Sequence, residues 1–291
     1  MKKKERVIVF SIGIILLGVF TFTDLQISMT LYVKNLYGRI FEVIGELPAL
    51  FLVLFGCVLL FRLRSRRNMI INVGIAALSG ILLFLFALMG GFMVWKYLNE
   101  NIGSTLPVIV PIIISLLLIV LAIFLAGKVP KENAHEAVTY AIISIIYFIS
   151  ILIVMNVIKA YWGRMRMREM TDCLAQFTPW YEIHSRGGFD NVYASFPSGH
   201  SMNSAAIILM TLLPNFMPGL AGKEKLLKIA AYTWCVIVGS SRIVMGAHFA
   251  SDVVAGIMIS LMLFEIIRTL VYKVRQKETI NPISNRAKER R

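Results

Sequence analysis

Apolar runs of bilayer-spanning length punctuate the chain, at about residues 7–22, 48–61, 69–96, 106–126, 137–158, 198–214, 226–241 and 251–272. Several approach or exceed the roughly 20 residues a helix needs to cross the hydrocarbon layer. Inside that layer a backbone must satisfy its own N–H and C=O groups, which uninterrupted helices do. With 58% of residues hydrophobic and a mean hydropathy of +0.76, a soluble globule would lack the polar surface to cover such a core. The sequence therefore predicts an all-α fold, a polytopic transmembrane helical bundle of about eight spans.

The polar residues between the runs carry the topology. The formal net charge is +14, and basic residues concentrate in short cytoplasmic loops of membrane proteins. Here they flank the runs: Lys2 to Arg6, then Arg62-Leu63-Arg64-Ser65-Arg66-Arg67, Lys128 with Lys131, Lys223 to Lys228, and a tail from Lys273 to Arg291. They are scattered between spans and not massed in one soluble domain, which speaks against nucleic-acid binding. The first run resembles a signal peptide but is followed by Thr23-Asp24-Leu25 and no small-residue cleavage site, so an uncleaved first span is expected. Both termini are then cytoplasmic. Residues 24–46 place Leu36, Ile40, Phe41 and Ile44 on one helical face, with Lys34, Arg39 and Glu42 nearby. They read either as an amphipathic helix on the outer surface or as an ordinary loop. Gly90-Gly91 interrupts the character of the third run. Cys57 and Cys235 lie inside apolar runs and Cys173 has no evident partner, so neither a disulfide framework nor a zinc site is expected.

One loop breaks the charge pattern. Residues 159–197 fall on the outer side yet hold Lys159, Arg164, Arg166, Arg168 and Arg186, and anion binding would explain cations there. Trp162, Trp180 and Tyr181 in the same loop read as interface anchors, and His184 as a loop residue. At its end stands Pro197-Ser198-Gly199-His200, where Ser198 can cap a helix whose first N–H groups suit an anion. Alternation of the last four spans brings three clusters to one membrane face: Lys159 with Arg166, Ser198-Gly199-His200, and Ser241-Arg242 with His248 and Asp252. His248 and Asp252, four residues apart, fit one helical face, so the carboxylate could hold one imidazole nitrogen and leave the other as a nucleophile. His200 could protonate a leaving oxygen. Lys159, Arg166 and Arg242 could neutralise phosphoryl oxygens.

Lys159-x6-Arg166, Pro197-Ser198-Gly199-His200 and Ser241-Arg242-x5-His248-x3-Asp252 resemble the three signature motifs of the type 2 phosphatidic acid phosphatase (PAP2) superfamily, over roughly residues 137–272. The resemblance implies His248 as nucleophile, Asp252 as its orienting partner and His200 as general acid. It implies Lys159, Arg166, Ser198, Gly199 and Arg242 as phosphate ligands, with no metal and no cofactor. It also implies a six-helix core. The chain then divides into a two-span extension (residues 1–68), the phosphatase core (69–275) and a basic cytoplasmic tail (276–291). One departure stands out: Met167 occupies the position after Arg166 where the family usually has proline, with Arg164 and Arg168 as alternative ligands. The expected activity is hydrolysis of a lipid phosphate or diphosphate drawn from the bilayer, through a phosphohistidine, at the outer face of a bacterial inner membrane. Undecaprenyl diphosphate ranks slightly ahead of phosphatidylglycerophosphate and phosphatidic acid, on location alone. A non-hydrolytic lipid-phosphate binder or transporter and a lipid phosphotransferase are the rival readings, and a soluble vanadium haloperoxidase is disfavoured by the spans.

Overall fold

In a computed structural model, residues 3–64, 68–103, 105–185, 188 and 190–289 are described, with side chains up to residue 276. Residues 65–67 of the dense basic loop, Arg186 and Gly187 lie outside that set, as do the side chains of the basic tail. The described residues form α1 (Lys3–Leu31), α2 (Leu36–Ile44), α3 (Leu47–Leu63), α4 (Met69–Ile102), α5 (Ile109–Gly127), α6 (Ala134–Trp162) and the short α7 (Cys173–Gln176). These are followed by α8 (Gly199–Ser204), α9 (Glu224–Val244) and α10 (Ala250–Glu289). Seven segments among them are long and apolar enough to cross a membrane: α1, α2 with α3 (Leu36–Leu63), α4, α5, α6 with the turn before it, α9, and α10 to Gln276.

The run at 198–214 is not one straight α-helix. After α8 the chain continues as a 3-10 helix, Ala205–Asn215. A 3-10 helix rises about 2.0 Å per residue against 1.5 Å in an α-helix, so this short segment still reaches roughly 30 Å. It runs through the middle of the bundle, packed by α3, α6, α9 and α10. Met202, Ala205, Ala206, Ile208 and Leu209 are buried. At its far end Phe216 packs on Phe55 and Tyr140, and its carbonyl accepts from Asn133.

Around that axis the helices sort by how much of their surface other helices cover. α3 is the most enclosed of the spans, with Leu50, Val53, Leu54, Cys57 and Leu59 buried against α6 and the central segment. α4 and α5 pair at the periphery and expose Ile81, Phe84, Leu116, Leu117 and Val120, as lipid-facing surfaces do. α1 packs on α10 and α2 on α9, so the helices before residue 68 lean directly on the later ones.

Two sequence expectations change. The first span does not end at Phe22; α1 continues to Leu31 and buries Asp24, because that carboxylate finds a buried arginine. Gly90-Gly91 does not break α4. The helix runs through, and the missing side chain lets α5 approach: a Cβ on Gly91 would overlap the Pro111 carbonyl oxygen. Gly74, on the same helix, has open space around it. Gly91→Val should therefore destabilise the purified protein by about 1–3 kcal/mol through overpacking. Gly74→Val should shift thermal unfolding in detergent hardly at all, and similar melting shifts for the two variants would contradict this packing.

Candidate active site

The ends of α1, α4, α6 and α9 and the starts of α8 and α10 meet at one end of the bundle, closed by the long loop after α6. The loop turns at Gly163, whose φ of 68° suits glycine. It then folds back on itself: Ser195 N–H donates to the Arg164 carbonyl and Arg166 N–H to that of Val192, each at 3.0 Å. Trp162 stacks on Phe196 with centroids 4.3 Å apart, and Trp180 donates to Thr21 on α1. Two of the expected interface anchors thus clamp the loop immediately before Pro197, while Tyr181 remains exposed. His184 stays a loop residue, near Glu182.

His248 sits in the turn between α9 and α10 and is buried. Its Nδ1 is 2.6 Å from the Ser195 carbonyl, which can only accept, so Nδ1 carries the proton and Nε2 is left with its lone pair. Burial, followed by the charges of Lys159 and Arg166, holds its pKa well below the ordinary 6.5, so the ring is neutral at physiological pH. Asp252 does not hold His248 directly, as the i, i+4 spacing had implied: its Oδ2 is 4.0 Å from Nδ1. The carboxylate accepts instead from Ser195 Oγ at 2.6 Å, from the Phe249 N–H at 2.9 Å and from Arg164 at 2.6 Å. Asp252 therefore acts on His248 through Ser195, one residue removed.

Arg164 is not available as an alternative phosphate ligand. It has no exposed surface and spans Asp252 and Asp24, with a further bond to Ser251 and its guanidinium 4.1 Å from the Phe249 ring centroid. Ser251 in turn donates to Asp24. Arg168 is drawn towards Glu42 and Glu169. Arg166 takes φ −79° and ψ 143°, the extended conformation a following proline would impose, so Met167 sets the same chain direction by burying its side chain. Arg166 donates to Asn191 at 2.7 Å, and its Nε is buried without a hydrogen-bond partner. Burial brings its pKa down to about 10, which leaves it charged. Lys159 donates to the Ala194 carbonyl at 2.6 Å.

His200 is buried between two acceptors, the Glu46 carboxylate 3.2 Å from Nδ1 and the Glu42 carbonyl 3.2 Å from Nε2. Ser198 caps α8 through Ser201 and is fully buried, so its hydroxyl is committed to the helix start. Gly199 lets α6 close in: a Cβ there would stand 3.0 Å from Met155 Sδ and 3.6 Å from Lys159 Cε. Arg242 is held by Glu42 at 3.2 Å and by the Gly38 carbonyl at 2.7 Å. That places α2 over the site as an amphipathic helix, with Glu42 buried beneath and Leu36 and Ile40 exposed.

Lys159, Arg166, Gly199, His200 and His248 line one cavity of about 360 Å³, whose other walls include Met89, Met93, Leu152 and Met155. A smaller recess of about 70 Å³ adds Arg168 and Arg242 beside the same two histidines. No group of three or more potential metal-ligating His, Cys, Asp or Glu occurs among the described residues. Sequence reasoning missed Ser195, Glu42 and Glu46 and misjudged Arg164. A carboxylate at the edge of an apolar run, as at Asp24 and Glu46, was the available signal.

Residues 139–276 match the PAP2 superfamily. The match covers just under half of the chain. It includes every residue of the three motifs. The chain is also similar to phosphatidylglycerophosphatase B of Bacillus subtilis (strain 168), 37% identical over 84 residues, which is 28% of this chain and 41% of that protein. The chain thus spans less than half the length of this curated relative. No solved structure matches it. Asp24, Glu42 and Glu46 all precede the matched segment, so the site is completed from outside it.

The two arginines should separate by stability. Arg164→Met leaves Asp24 and Asp252 buried without their cation and should cost about 3–5 kcal/mol in unfolding. Arg166→Met removes a group bonded to one neutral amide and should change the melting temperature little. Thermal unfolding in detergent measures both, and equal shifts would place Arg164 outside the framework.

Proposed function

We propose that the protein is an integral-membrane, metal-independent lipid phosphatase. The reading is carried by one observation: a single cavity joins two histidines and two cations to an apolar wall of Met89, Met93, Leu152 and Met155. A phosphate headgroup would meet Lys159 and Arg166, with Arg242 and the N-terminal backbone at Gly199 beside it, while its tail stays towards the bilayer. His248 Nε2 attacks phosphorus and forms a phosphohistidine, and the bond to the lipid oxygen breaks as His200 gives that oxygen a proton. Water then attacks the phosphohistidine, His200 takes the proton, and orthophosphate leaves. Asp252, through Ser195, favours the charge that grows on His248.

The basic residues Arg62, Arg64, Lys128, Lys131, Lys223 and Lys225 lie at the bundle end opposite the site. By the positive-inside rule a cytoplasmic location for that end is favoured, which supports a site at the outer face of a bacterial cell membrane with both termini inside. Among lipid phosphates, similarity to phosphatidylglycerophosphatase B supports phosphatidylglycerophosphate as the first substrate to test, ahead of undecaprenyl diphosphate and phosphatidic acid.

A panel of these three lipids in detergent, with EDTA present, should give phosphate release from at least one. His248→Ala should lower it by 10³-fold or more, and undiminished release in that variant would leave a binder or transporter as the better reading. Product analysis with lipid acceptors reports a phosphotransferase if one is at work. Because His248 is held neutral, kcat/KM should keep its acid limb below pH 6.5 after correction for the second ionisation of the substrate phosphate. A limb above pH 6.5 that moves with substitutions near His248 would show that the ring gains its proton too easily for this role.

A further inference from the structure

His200 has a partner that none of the three motifs supplies. Glu46, at the junction of α2 and α3, places Oε1 3.2 Å from His200 Nδ1 and accepts on Oε2 from the Asn203 amide at 2.7 Å. On the other side of the ring, Nε2 faces the Glu42 carbonyl. A carbonyl oxygen cannot donate, so Nε2 carries a proton. A second proton lies between Nδ1 and the carboxylate, whichever of the two holds it, since two bare acceptors would repel at that distance. His248 is the reverse case: its Nδ1 proton is taken by a neutral carbonyl and its Nε2 is bare. One residue type thus appears twice, once as a base and once as an acid, distinguished by what stands behind Nδ1.

We infer that Glu46 is a positioning residue for His200, keeping the ring oriented and protonated at Nε2 for transfer to the leaving lipid oxygen. This rests on the phosphatase reading above. Glu46, His200 and Asn203 line the cavity together with Met89, Met93, Leu152 and Met155, the side on which a lipid alcohol departs. Lys159, Arg166, Arg242 and the His248 ring also face His200 and oppose a positive charge on it; the Glu46 carboxylate offsets them. In the step itself the P–O bond breaks, its electron pair goes to the lipid oxygen, and the Nε2 proton follows. The proton on the Nδ1 side remains with the Glu46–His200 pair. When water attacks the phosphohistidine, one of its protons returns to Nε2, its oxygen bonds to phosphorus, and the P–N bond breaks back to His248.

An acid is needed for an alkyl leaving group and not for p-nitrophenolate, which departs without a proton. Glu46→Gln should therefore lower phosphate release from a lipid phosphate on the order of 10²-fold, within the range for general acid–base catalysis. The first-turnover burst of p-nitrophenolate from p-nitrophenyl phosphate, which precedes the attack of water, should fall less than about fivefold, with inhibition by orthophosphate unchanged. His200→Ala should show the same split. Equal losses on both substrates in Glu46→Gln, or no loss on either, would overturn the assignment of Glu46. If His200→Ala shows the split and Glu46→Gln does not, the inference fails while the phosphatase reading stands; if His248→Ala retains full lipid phosphatase activity, the reading itself fails. Should Glu46→Gln not accumulate, Glu46→Asp keeps the charge at a greater distance and should show the same split at smaller amplitude, and its absence there counts equally against the proposal.

Discussion

The site depends on a buried cation between two carboxylates. Arg164 lies at the head of the loop after α6, and its guanidinium bonds Asp252 of α10 and Asp24 of α1. Burying any one of these charges alone costs several kcal/mol, and the group persists only because each has its partners. Its bonds to Ser251 and to the Thr178 carbonyl take up further guanidinium protons. The geometric consequence is larger than the energetic one. Three segments distant in sequence are fixed relative to one another, and the Ser195 hydroxyl is drawn to the Asp252 oxygen that Arg164 does not hold. The Ser195 carbonyl is then aimed at His248, so the orientation of that ring follows from an arginine outside the cavity lining.

The two histidines stand in different surroundings. A cavity lined by cations is a poor place for a protonated imidazole, which keeps His248 neutral. The same surroundings oppose a positive charge on His200, which the Glu46 carboxylate beside it offsets. The central segment from α8 to Asn215 carries His200 and packs against α3, which Glu46 immediately precedes. The pairing is therefore set by core packing and not by a flexible loop.

Much of this was legible in the sequence, for identifiable reasons. Apolar runs are a one-dimensional signal, and alternation of spans brings Lys159, His200, Arg242 and His248 to one end without any three-dimensional information. The paths of α1 and α2 were harder to read. Asp24 looks like the polar end of a span until Arg164, 140 residues later, gives it a buried partner. Leu36, Ile40 and Ile44 define an apolar face, but in a bilayer such a face turns outward to lipid, so the buried side is the one carrying Glu42. The His248–Asp252 spacing fits a helical face, yet His248 stands before α10 begins, in a turn whose geometry spacing cannot supply. Met167 is the converse: the absent proline looked consequential, and a buried methionine side chain sets the same backbone direction.

The distribution of charge sets the first motif apart, although it is the loosest of the three. Around the two recesses stand the cations Lys96, Lys159, Arg166, Arg168 and Arg242, against the carboxylates Glu42, Glu46 and Glu100. Arg242 and Arg168 share Glu42, so much of their charge is already answered when an anion arrives. Lys159 and Arg166 are bonded to a backbone carbonyl and a side-chain amide, which satisfy hydrogen bonds without cancelling charge. The uncompensated positive potential of the cavity is therefore concentrated on these two side chains, at the boundary between its polar and apolar walls. A dianion there gains most from them, because interactions at a partly dehydrated site are weakly screened. Arg242 acts under a different constraint, since any anion that engages it must share it with Glu42 and press on the contact that ties α2 to α9.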